Sequence, residues 1–239
     1  MSLKIDHCIA FCIVPTPRWK YWYFNEIYIV SLFMRKKKNL INLFKKKLNL
    51  PEIKIPSNNV IKNTKAKLNN YYENNYNINT RAPFILMQET IKIMIRDKNK
   101  GTIANVLSMA MYSGMPFIVA YSGSKAALAT MTKNIANSVA SYQIRVNALN
   151  IGWTDTPAEH DIQTRVHKKN PNWLQDEEKK VPFNRLIKPI DVAKALAFMC
   201  SEESGLMTGS VIDFDQTVHG WHSYSAYETR VLDDSLLGE

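Results

Sequence analysis

The chain is 239 residues long, with 46% apolar residues, 31 Lys+Arg against 21 Asp+Glu, and eight glycines. This length and apolar content suit one large α/β domain or two small ones, and exclude collagen-like and low-hydrophobicity disordered classes. All glycines fall at or after Gly101, and residues 1–100 carry a net charge of +13 against −3 for the rest. A glycine-free first hundred residues excludes a Gly-rich phosphate loop there, because the backbone must approach a phosphate closely.

Cys8, Cys12 and Cys200 make no disulfide framework, so a reducing, cytoplasmic location is expected. Cys8 and Cys12 lack a second Cys pair, and apolar packing is expected of them rather than a metal site. Asn25 and Glu26 interrupt the best apolar window, 21–34, which is too short for the ~20 residues of a membrane span. Pro15, Pro17 and Arg18 break the early apolar run that a signal peptide would need.

In chain order, 9–14 reads as a strand. Residues 1–75 are rich in Lys, Asn, Ile and Tyr, with basic blocks at 35–38 and 45–47 and the pairs Asn58-Asn59, Asn69-Asn70 and Asn74-Asn75. This resembles compositional bias more than patterned secondary structure, although Leu40, Leu43, Phe44 and Leu48 would share one face of a short helix. The pattern becomes regular near residue 76. Apolar spacing predicts a helix over 84–95 closed by Gly101, a buried strand over 102–107 and an Ala/Ser-rich helix over 122–140. A strand follows over 144–150, a helix opening on Pro189 over 189–199, and a last strand over 210–214. Strands alternating with helices imply parallel βαβ units.

The sharpest chemistry lies in Ser108, Tyr121 and Lys125. Tyr and Lys four apart on a helix share a face. An ammonium beside a phenol favours phenolate and lowers its pKa from ~10, so the Tyr can exchange a proton with a substrate oxygen near neutrality. Ser108 sits at the carboxyl end of the preceding strand, where α/β sheets place ligands. Taken alone, Y-x-x-x-K is a weak signal.

The context strengthens it. G-T-I-A-N-V-L-S (101–108), Y-S-G-S-K-A-A-L (121–128) and I-R-V-N-A-L-N-I-G-W-T-D-T-P (144–157) resemble the short-chain dehydrogenase/reductase family. Ser108 precedes Tyr121 by 13 residues and Tyr121 precedes Lys125 by 4, the family's spacing. N-T-R-A-P-F (79–84) resembles its helix-4 segment, and P-F-N-R-L-I-K-P-I-D-V-A (182–193) and S-G-L-M-T-G-S-V-I-D-F-D-Q (204–216) extend the match, over about 76–222.

The resemblance implies an α/β, Rossmann-like doubly wound parallel sheet with an atypical N-terminal part: a basic Lys/Asn-rich segment over 1–75 and the catalytic part over 76–239. It implies NAD or NADP as cofactor and a secondary alcohol or ketone, including a sugar or polyol, as substrate. Tyr121 would be the general acid/base and one of the cofactor-binding residues. Lys125 would lower the Tyr121 pKa and bind the nicotinamide ribose. Ser108 would orient the substrate oxygen, and Asn79 would hold a relay water. Thr154 and Thr156 would contact the carboxamide, a helix-start cap before Pro157 being the competing reading of both. Homo-oligomers would form through helices 80–96 and 122–140.

Asn105 and Asn147 read as structural polar residues. Trp153 reads equally as a substrate-pocket wall or as packing against 157–180. His160, His167, His219 and His222 show no ligand spacing with carboxylates. The family's T-G-x-x-x-G-x-G turn is missing: Pro15-Thr16-Pro17 follows the first strand, and Ile151 stands where the family has Pro. Two further readings therefore stand beside the oxidoreductase: a catalytically impaired fragment lacking the cofactor loop, and a basic arm over 1–75 for nucleic acid or an anionic membrane. A solvated, compositionally biased segment accounts for the same charges, so neither nucleic acid nor membrane is the expected partner.

Overall fold

The computed structural model describes residues 8–13, 27–30, 63–112 and 118–218. The basic blocks at 35–38 and 45–47, the 40–48 helix face, Asn58-Asn59, His219 and His222 lie outside them. The elements are β1 (Cys8–Ile13), β2 (Ile27–Val30), α1 (Asn63–Tyr76), α2 (Ala82–Arg96), β3 (Gly101–Ser108), α3 (Val119–Val139), β4 (Ile144–Ile151), α4 (Pro157–Asp161), α5 (Trp173–Glu178), α6 (Pro189–Cys200) and β5 (Val211–Phe214). They form a five-stranded sheet in the order β2-β1-β3-β4-β5. β1, β3, β4 and β5 run parallel, and β2 is antiparallel to β1.

The strands of the centre are apolar on both faces, as a sheet covered twice requires. Ile103, Leu107, Ile144, Val146 and Ala148 pack with Leu86 and Met87 of α2 and Leu128, Ala129 and Ala136 of α3. Ala104, Val106 and Leu149 face the other way, onto Val192, Leu196 and Met199 of α6. Each fully buried Leu or Ile contributes about 1.5–3 kcal/mol of apolar transfer. Cys200, buried at the end of α6, is disulfide-bonded, a cross-link that counting three cysteines does not anticipate.

Two expectations are corrected. Residues 63–76 form a helix although their sequence looks like bias; α1 continues through a π-turn (Asn77–Arg81) into α2, across the change in composition at residue 76. Nor does Gly101 close α2. Lys98 takes the left-handed conformation instead (φ 52°), its N–H bonding the Ile95 carbonyl at 3.1 Å and that of Asn99 the Met94 carbonyl at 2.8 Å. Gly101 is the first residue of β3.

Among the described residues β5 pairs with Ala148–Ile151 of β4. Before it, the chain at 207–210 satisfies β4 without being a strand. Thr208 Oγ1 accepts from Val146 N at 3.1 Å, and Gly209 N, at a left-handed φ of 69°, donates to the Val146 carbonyl at 2.8 Å. Asn147 donates to the Met207 carbonyl (2.8 Å) and accepts from Ser210 N (3.0 Å), the structural role expected of it. The Arg145 guanidinium bonds Ser204 Oγ (2.8 Å) and the carbonyls of Ser201 (3.0 Å) and Met207 (3.1 Å), so the turn after α6 is fastened to β4.

Candidate active site

Ser108 is the last residue of β3, at the carboxyl edge of the parallel strands. Its Oγ accepts from Ala110 N at 3.2 Å, which opens the short 3-10 turn Met109–Tyr112. Tyr121 lies in the first turn of α3, and Lys125 one turn later. Lys125 is 4% exposed, and its Nζ donates to the Val106 carbonyl at 3.0 Å while standing 5.9 Å from the Tyr121 ring centre. A buried ammonium must be hydrogen-bonded to offset its desolvation. Lys125 thereby ties the helix of Tyr121 to the strand of Ser108.

Asn79 reaches this helix from the other side. It is 1% exposed and sits in the π-turn, a local geometry that recurs at functional sites. Its Nδ2 donates to Ser124 Oγ at 3.0 Å, Ser124 Oγ donates to the Tyr121 carbonyl at 2.7 Å, and Thr80 Oγ1 donates to the Ser124 carbonyl at 2.9 Å. The buried Asn79 Oδ1 has no hydrogen-bond partner. Gly123 lies at the same crossing: a Cβ there would stand 2.7 Å from the Tyr76 hydroxyl, which arrives with α1 and would have to shift.

Thr154 and Thr156 lie on the segment leaving β4. Thr154 Oγ1 donates to the Gly152 carbonyl at 3.0 Å. Thr156 is the N-cap of α4, its Oγ1 accepting from Glu159 N at 3.1 Å, which is the competing reading made for it; the cap leaves its hydroxyl proton to donate elsewhere. Asn105, wholly buried, bonds Thr132 Oγ1 at 2.9 Å, a structural role as expected.

The sequence missed a cluster over this segment. Trp153 stacks on Trp173 at 6.0 Å, and its Nε1 donates to Glu159 Oε1 at 2.8 Å. Trp153 therefore packs against the 157–180 segment. His160 meets the edge of Trp173 (4.9 Å) and pairs with Asp155 Oδ1 at 2.9 Å. Lys188 Nζ bridges Asp155 Oδ2 and Glu178 Oε1, both at 2.9 Å. Burial pushes the Asp155 carboxyl up, but Lys188 and His160 outweigh it and hold the group below the usual carboxylate range. The Lys188 hydrogen bond holds Glu178 low as well. Five-residue spacing hides the His160–Asp155 pair, because the Thr156 cap bends the chain between them; a T-P helix start just after an acid is the available signal. Among the described residues no cluster of His, Cys, Asp or Glu suits a metal, and no helix is long and apolar enough to cross a membrane.

A strand ending in Ser, a Tyr–Lys helix bound to it through a buried ammonium, and a two-sided parallel sheet define a Rossmann-type scaffold. The family model described as enoyl-(acyl carrier protein) reductase matches residues 56–219, and the chain belongs to the short-chain dehydrogenase/reductase family. An uncharacterized oxidoreductase of Thermotoga maritima is 36% identical over 141 residues, 58% of this chain and 54% of that protein. The 3-oxoacyl-(acyl-carrier-protein) reductase FabG of the same organism is 33% identical over 139 residues, 58% and 53%. The solved structure of 4-hydroxyisoleucine dehydrogenase complexed with NADH matches with a TM-score of 0.54 at 26% identity, over 62% of this chain and 58% of that one. The chain spans about half the length of the curated relatives it matches.

Proposed function

We propose that residues 76–239 are the catalytic part of a nicotinamide-dependent oxidoreductase that interconverts a secondary alcohol and a ketone. The observation that carries this reading is Lys125: buried, bonded to the Val106 carbonyl at 3.0 Å and 5.9 Å from the Tyr121 ring. An ammonium kept there favours the Tyr121 phenolate electrostatically.

In the oxidation direction Tyr121 takes the hydroxyl proton of the alcohol; in the reduction direction it returns a proton to the carbonyl oxygen. Ser108 spends one lone pair on Ala110 N, and its hydroxyl proton donates to the same substrate oxygen. Asn79 Oδ1, buried without a partner, accepts from a relay water behind Tyr121. When bound, a nicotinamide supplies the hydride acceptor or donor. The donor set suits its ribose side: the Lys125 ammonium for ribose hydroxyls, and the Thr154 and Thr156 hydroxyls for the carboxamide.

Two relatives suggest substrates to try, a 3-oxoacyl thioester and a hydroxylated small molecule of the amino-acid or polyol kind. Assaying such a panel with both nicotinamide cofactors tests the reading, with Tyr121→Phe as control. Turnover that falls about 100-fold or more in the variant is expected for loss of a general acid/base; equal turnover in the two would sink the role of Tyr121. The same reading pairs copies of the chain through 80–96 and 122–140, which sedimentation equilibrium checks.

A second reading, an impaired catalyst, is favoured by one observation: no glycine precedes Gly101.

A further inference from the structure

Among the described residues the strand order lacks the usual seat for the phosphates of a dinucleotide, and composition points the same way independently. That seat is a turn from a strand into a helix at the carboxyl edge, where glycines let backbone N–H groups and the helix N-terminus meet the phosphates. β1 is the strand beside β3, parallel to it with Phe11 opposite Asn105, so its carboxyl end lies at the Ser108 edge. The next strand in the chain, β2, is antiparallel to β1, with Ile27 opposite Ile13 and Val30 opposite Ala10. A helical crossover joins parallel neighbours, whereas this is an antiparallel return. β2 thus begins at the Ser108 edge and finishes on the opposite one. Composition agrees with topology, since residues 1–100 contain no glycine. The residues suited to the nicotinamide-ribose part, by contrast, all lie beyond residue 100, on α3 and the segment after β4.

We propose that this chain is a half-site: it takes the nicotinamide-ribose part of the cofactor and gains nothing from the adenosine diphosphate part. This rests on the reading given under Proposed function. It makes two demands. A nicotinamide mononucleotide should bind as tightly as the dinucleotide. NADH and NADPH should not be distinguished, because they differ only by a phosphate on the adenosine ribose.

The test is a titration of the full chain with reduced nicotinamide mononucleotide, NADH and NADPH, read by nicotinamide fluorescence, alongside Tyr121→Phe and Lys125→Gln, with melting curves to verify folding. Running it at about 0.15 M and about 0.5 M salt separates simple attraction of phosphates to the basic N-terminal residues from a built seat. Three dissociation constants within about threefold of one another, each weakened about tenfold or more in a folded variant, are expected. NADH or NADPH binding about 30-fold tighter than the mononucleotide at both salt concentrations overturns the half-site and leaves the proposed function standing. Binding of none of the three overturns the proposed function, and the half-site with it. Equal affinities that neither variant alters also overturn the half-site, because the contacts would then lie elsewhere.

Discussion

The Tyr112 hydroxyl donates to Asp213 Oδ1 at 3.1 Å, across the carboxyl edge of the sheet. The same carboxylate oxygen accepts from Asn150 Nδ2 at 2.8 Å, and Asn150 Nδ2 also reaches Met109 Sδ at 3.0 Å. The turn after Ser108 is therefore tied at its start by Ser108 Oγ and at its end by β5. Tyr112→Phe should cost less than about 1 kcal/mol, because the bond is exposed. Its signature is local: faster amide exchange at Ala110, with α3 unchanged. Unaltered exchange at Ala110 would show that the tie does not hold the turn.

Acid should loosen the segment after β4. Asp155 and Glu178 are held below the ordinary carboxylate range in the folded chain. A depressed carboxyl stabilises the fold above its unfolded pKa of ~4, and that stability is lost as pH falls through the lower folded value. Melting temperature should drop below about pH 4, with a shallower pH dependence in Lys188→Met. An equally steep acid slope in the variant would mean that Lys188 is not the cause.

Trp173 is 1% exposed, and its indole N–H has no hydrogen-bond partner. Trp173→Ala should cost about 3–5 kcal/mol by opening a cavity. Trp173→Phe should cost distinctly less, because it keeps most of the ring and removes an unsatisfied donor. Denaturant melts of the two variants decide this, and equal losses would contradict it.

Gly152 has no room for a side chain: a Cβ would run into the Asp215 carboxylate, which already accepts from Gln216 N at 2.8 Å. Gly152→Ala should destabilise the chain by about 1–3 kcal/mol, as overpacking does. Adding Asp215→Ala should recover part of that loss. Strictly additive losses in the double variant would place the strain elsewhere.

What the sequence revealed follows how local the governing physics is. β3, β4 and α3 were legible to within about three residues, because a buried strand or a small-residue helix declares itself in its own composition. β1 was visible as an apolar run, but its antiparallel return to β2 was not, since pairing direction is a tertiary choice. α1 was missed because Asn-Thr-Lys-Ala-Lys shows no apolar stripe; what it packs on, near Gly123, lies about fifty residues away in the chain. Ser108, Tyr121 and Lys125 were found by spacing, and Asn79 only by resemblance. His160 and Asp155 were passed over because a capped bend, not a helical period, brings them together.

The fastening at 207–210 also bears on how copies of this protein meet. Among the described residues, the first half of β4 has no strand on its outer side, and a bare strand edge invites another chain to add to the sheet. Thr208 and Gly209 already occupy the Val146 N–H and carbonyl on that side, and the Asn147 side chain holds the segment in place. After the left-handed backbone at Gly209 the chain continues into β5, which takes up Ala148–Ile151 of the same strand. This stretch acts as a guard rail: it closes the exposed ladder to misdirected strand exchange without lengthening β5 into an edge that would itself need protecting.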